Sequence, residues 1–139
     1  MFGQDRRQMR EFFLQAWRKR SNNQILEPLE ALVADVVAQH PEYHRILENP
    51  ESVELDFANA EGEINPFLHM SLHVALKEQL SIDRPPGVKA AYQGLLKKVD
   101  DAHDAEHRIM ECLGQVLWEA QRAGTPPDEG QYLECLKKL

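Results

Sequence analysis

Apolar residues recur three and four positions apart along nearly the whole chain, and that is the helical period. Alternation of the strand kind is confined to Val53, Leu55 and Phe57, where a short extended piece is expected. Phe2, Met9, Phe13, Ala16 and Trp17 share one face of a first helix, from about Asp5 to Arg20. Ser21-Asn22-Asn23 offers capping side chains to a second helix, whose stripe of Leu26, Leu29, Val33, Val36 and Val37 runs to His40. Pro41 has no N–H to give, so the helix kinks or restarts there, and Tyr43 to Glu48 adds a turn or two. A third helix runs from near Asn65-Pro66 to about Leu80, stopped by Asp83-Arg84-Pro85-Pro86-Gly87.

The fourth helix is expected to be the longest, unbroken from about Val88 to Arg122 and ended by Gly124 and Pro126-Pro127. It is apolar on two sides, with Trp118 anchoring it in the core. Asp128 and Glu129 suit the start of a last short helix that turns Tyr132, Leu133 and Leu136 inward. The expected fold is therefore all-α: a four-helix bundle with an additional short C-terminal helix, as a single helical domain over 1–139. Residues 49–64 form its acidic loop, with Glu51, Glu54, Asp56, Glu61 and Glu63 and no base; a connection this long suits a lid or binding loop.

Charge narrows the function classes. The net charge is -7, which disfavours nucleic acid as a partner, since phosphate needs excess base. Helix one is locally basic through Arg6, Arg7, Arg10, Arg18, Lys19 and Arg20; an anionic partner could dock there, but a solvated face is the plainer reading. No apolar core of a signal peptide follows Met1, and the longest apolar stretch, near Ala31 to Ala38, contains Asp35 and is too short for a membrane span. A cytoplasmic location is the default expectation, and a homodimer is compatible with the sequence. Cys112 and Cys135 lack metal-finger or Cys-x-x-Cys spacing and read as buried or incidental thiols.

The histidines are the informative residues. All six fall into pairs spaced i, i+4: His40 with His44, His69 with His73, and His103 with His107. That spacing stacks two side chains on one helix face. Each pair continues an apolar stripe, so all three are expected to point inward, where neutral imidazole is the cheaper form. Neutral imidazole is a common metal ligand, and paired histidines on facing helices are how bundle cores hold ions. Asp100, on the His103 and His107 face of the expected long helix, and Glu111, at i+4 from His107, are the auxiliary carboxylates. A donor set of nitrogen and carboxylate suits one or two transition-metal ions, with iron favoured over zinc or manganese. The bland alternative is a metal-free protein-interaction module in which a buried histidine network specifies the core.

Several segments resemble the bacterial family called domain of unknown function 1841. They are His40-Pro41-Glu42-Tyr43-His44, Asn65-Pro66-Phe67-Leu68-His69 with His73, Ala105-Glu106-His107, and Leu117 to Arg122 with Pro127-Asp128-Glu129. The resemblance implies a cytosolic bacterial protein and no particular activity. In architecture the chain also resembles the hemerythrin-like class, whose bundles hold a di-iron centre. His103-x-x-x-His107 matches one of its elements, and His44-x-x-x-Glu48 or His107-x-x-x-Glu111 stands for another, while helix one offers no histidine. That likeness implies oxygen, redox or sensing chemistry at non-haem iron.

Overall fold

A computed structural model of the chain describes residues 6–54 and 65–139. The described residues are all-helical. In order they form α1 (Arg6–Ser21), α2 (Pro28–Ala38), a 3₁₀ turn (Pro41–Tyr43), α3 (His44–Glu48), a second 3₁₀ turn (Pro50–Glu54), α4 (Pro66–Ile82), α5 (Val88–Leu96), α6 (Ala102–Ala123) and α7 (Glu129–Lys137). The chain divides into two compact units, Met1–Val74 and Ala75–Leu139, so α4 contributes to both.

In the first unit Phe13, Leu14 and Ala16 of α1 bury against Val33, Val36 and Val37 of α2, Leu47 of α3, and Phe67, Met70 and Val74 of α4. The first-helix stripe read from the sequence is thus the buried one; Phe2 lies outside the described residues. The second helix starts later than Asn22-Asn23 suggests. Glu27 precedes Pro28, whose ring suits a first helical position, and the Glu27 N–H donates to Glu30 Oε1 at 2.9 Å. The basic face of α1 is largely spent within the unit: Lys19 pairs with Glu30, Arg20 with Asp35, and Arg7 with Glu11 and Glu54. Arg10 is buried at 1% exposure, donates to the Val53 carbonyl at 3.2 Å, and lies over the Phe67 ring. Around Val53 the expected extended piece gives way to the Pro50–Glu54 turn, while Leu55 and Phe57 lie outside the described residues.

The second unit corrects the long fourth helix, which is two. The chain leaves α5 after Leu96 and restarts at Ala102, where the Asp101 carboxylate caps α6 by accepting from the His103 N–H at 3.1 Å. An aspartate that captures a free N–H favours a fresh helix start over continuation. Only one side of α6 is deeply buried, through Ala105, Ile109, Cys112, Leu113, Val116 and Ala120 with Met110 at its edge; Trp118 is 52% exposed, with the Arg122 guanidinium over its ring. Trp118 is therefore no core anchor. Gly124, at φ 69, closes α6 in the left-handed conformation that glycine adopts without strain. Asp128 caps α7, which buries Tyr132 and Leu136, and the Tyr132 hydroxyl donates to Gln79 Oε1 at 2.7 Å. Burial pushes the Tyr132 phenol well above its usual range. The two cysteines are not free thiols: Cys112 of α6 and Cys135 of α7 form a disulfide.

Candidate functional site

The first unit places three histidines together. α2 ends at Ala38, and Pro41 opens the next turn, so His40 sits in the non-helical joint between them. There its ring folds back on α2 and Nδ1 lies 2.7 Å from the Val36 carbonyl. A carbonyl can only accept, so Nδ1 carries a proton, and in the neutral ring the lone pair is on Nε2. His40 is 2% exposed.

Asn65 starts α4 by accepting from the N–H groups of Phe67 and Leu68, and Pro66 occupies the first turn. One turn apart on that helix stand His69, half-buried, and His73, fully buried. Their ring centroids are 5.0 Å apart, and the His40 ring lies 5.2 Å from His69 and 4.6 Å from His73. An imidazole bound through one nitrogen at ~2.0–2.1 Å puts its centroid ~3.2 Å from the ion; ligand angles of 90–110° then put centroids ~4.5–5.2 Å apart. The observed separations fall in that window. Tyr43 stacks on His40 at 5.6 Å, with its phenol pushed up by burial and by the Glu42 charge.

The second unit carries His103 and His107 in the first two turns of α6, both half-buried, with ring centroids 4.2 Å apart. Beside them Glu106 is 5% exposed, and its Oε2 lies 3.4 Å from Lys77 Nζ. The Tyr92 phenol is raised by burial and then by the Glu106 charge.

Not every expected residue sits as the sequence suggests. His44 is half-buried but does not join the trio: its Nε2 donates to the Val37 carbonyl at 2.8 Å, and its ring packs on Trp17 at 4.6 Å. The intervening 3₁₀ turn advances by about 120° per residue, so the four-residue spacing no longer aligns the pair. Asp100 lies exposed in the turn between α5 and α6, off the helix it was expected to share, and Glu111 is exposed on α6. Sequence reasoning placed Glu106 in no site; its burial and its pairing with Lys77 are seen only in the structure. Clefts of about 230 and 370 Å³ run along α1, but their walls are residues such as Leu14, Arg18 and Pro50, with no histidine. No described helix is long and apolar enough to cross a membrane.

Compared with known families, the chain matches the model described as Domain of unknown function (DUF1841) over residues 5–138, and it belongs to that family. No curated protein and no solved structure matches it.

Proposed function

We propose that this member of the DUF1841 family binds transition-metal ions through its inward histidines: His40, His69 and His73 in the first unit, and His103 and His107 in the second. One observation carries the reading. The His40 ring is buried with Nδ1 held by the Val36 carbonyl, and its centroid lies 5.2 and 4.6 Å from those of His69 and His73, the spacing that imidazoles sharing one ion adopt. Metal-binding histidines are typically oriented in this way, by a carbonyl or carboxylate that takes the other ring N–H. The donor set is imidazole without thiolate, since both cysteines are committed to each other; that set suits iron, zinc, copper and nickel, and iron is the ion proposed for test. An iron with an open position would support oxygen binding or redox sensing. The Cys112–Cys135 bridge points to an oxidising compartment rather than the expected cytoplasm, because reducing compartments keep thiols apart.

Elemental analysis of the purified full chain tests the reading. Wild type is expected to carry at least one equivalent of metal and a His69→Ala/His73→Ala variant to lose it. His44→Ala is expected to keep it, because that ring is already committed to Val37. Metal-free wild type, or equal metal in wild type and the double variant, overturns it. An absorption band that responds to oxygen separates iron from zinc.

A further inference from the structure

α6 presents a second stripe, away from its buried one. Asp104, Arg108, Glu111, Gln115, Trp118 and Arg122 follow one another at alternating spacings of four and three, and all six are exposed. At 100° per residue they fall within an arc of about 80°, along a line about 27 Å long. Alternating spacings of four and three make the seam along which two helices pack side by side. Most of this seam is charged, so a helix that packs on it has to bring matching charge. One large apolar ring stands in it: Trp118 is 52% exposed, with the Arg122 guanidinium 4.7 Å from its centroid.

A second copy of the same helix supplies that charge in one arrangement. With the two helices antiparallel about a two-fold axis at the level of Leu113, Asp104 faces the partner's Arg122, Arg108 faces the partner's Trp118, and Glu111 faces the partner's Gln115. Symmetry makes each contact twice, and no like charges meet. A parallel, in-register pair would instead set Asp104, Arg108, Glu111 and Arg122 each against itself. Shifting the antiparallel pair by one heptad leaves either Asp104 and Arg108 or Trp118 and Arg122 beyond the end of the partner helix. Within one chain Asp104 pairs with Arg108 at 3.3 Å, both half-exposed, and Arg122 covers Trp118. Across the seam these four groups exchange partners, so association buries no charge unpaired. Gln115 donates one N–H to Glu119 at 2.7 Å and keeps its second for the partner's Glu111.

We infer that this stripe of α6 is a homodimer interface, in which a second copy of the chain packs its own α6 antiparallel and the two Trp118 rings are the anchors. Trp and Arg are among the side chains most enriched where interfaces concentrate their binding energy. A single helix-on-helix seam lies at the small end of specific interfaces, so association is reversible, with a dissociation constant in the micromolar range. The interface uses none of the histidines proposed to hold metal, so the two readings stand or fall separately.

Sedimentation velocity of the full chain from about 1 to about 500 μM tests the inference, with circular dichroism on every variant to confirm its helices. Wild type is expected to pass from monomer to dimer across that range. Trp118→Ala, at an exposed position, is expected to weaken association at least about tenfold. Asp104→Arg sets two arginines opposite each other at both ends of the seam, and Arg122→Asp sets two aspartates there; each alone is expected to stay monomeric. Mixed in equal amounts, these two variants restore opposite charge at both ends and are expected to form a heterodimer of wild-type strength. A wild type that is monomeric at the highest concentration overturns the inference. So does a dimer that Trp118→Ala or either charge reversal leaves intact, and so does a mixture of the two reversals that stays monomeric.

Discussion

The Cys112–Cys135 bridge holds α7 on α6, and its contribution to stability follows from connectivity. The bridge spans a sequence separation of 23, and closing a loop of that length in the unfolded chain removes entropy worth roughly 3.4 kcal/mol at 25 °C. Docking of α7 otherwise rests mainly on Tyr132 and Leu136, which are 2% and 5% exposed. Burying two such side chains contributes about 3–6 kcal/mol, against roughly 1–2 kcal/mol of backbone entropy for each residue ordered, so the loop term is large on this scale. Urea unfolding of untreated and reduced wild type compares the two states with the same side chains. In a Trp17→Phe background the remaining tryptophan, Trp118 on α6, reports the second unit alone. With a slope of about 1 kcal/mol per molar urea for a unit this small, reduction should lower the midpoint by about 3 M. A drop under about 1 M would refute the argument that the loop is open and disordered without the bridge.

Three further outcomes follow from single contacts. Lys19 and the Glu27 N–H hold Glu30 below the usual carboxylate range, so its pairing stabilises the fold above the unfolded glutamate pKa and is lost as pH falls through the folded one. The stability gap between wild type and Glu30→Gln, from urea midpoints, should therefore be present at neutral pH and close in acid; a gap that widens in acid contradicts the assignment. Asp101→Ala should cost about 1 kcal/mol of thermal stability and weaken metal retention by His103 and His107, because the cap that sets their helix start is gone. Arg10→Lys keeps the charge but cannot lie flat over Phe67 while donating to Val53; a loss of about 1–2 kcal/mol by denaturant titration is expected, and no loss would show the planar group is dispensable.

What the sequence reveals about this molecule depends on how local the cause is. The stripes of α1, α2 and α4 are legible because burial repeats at the helical period over several turns. The same period misleads at Leu96 to Ala102: apolar positions on α5 and α6 can be threaded onto one helix, and only the Asp101 cap marks the break. Trp118 misleads for a related reason, since a large apolar side chain suggests a core and the buried stripe of α6 runs past it. His40 and His73 were legible as inward residues, but the tautomer that makes His40 a donor of its lone pair depends on a joint at Pro41. The disulfide had no local signature, because it depends on where α7 docks.

The hydrogen-bond count of the first unit's trio separates the metal reading from a purely structural network. Three neutral imidazoles bring three N–H donors and three lone pairs. The Val36 carbonyl takes one donor from His40, so within the trio lone pairs outnumber the donors left to meet them. A structural network must bring in at least one donor from outside, whereas an ion takes all three lone pairs and frees each remaining N–H for a protein acceptor. The two arrangements therefore predict different nitrogens. With metal bound, the ¹⁵N resonance of His40 Nε2 should move while Nδ1 keeps its proton on Val36. If the metal-exposed protein shows all three imidazoles unchanged from the chelator-treated one, the histidines are a hydrogen-bonded core and no more.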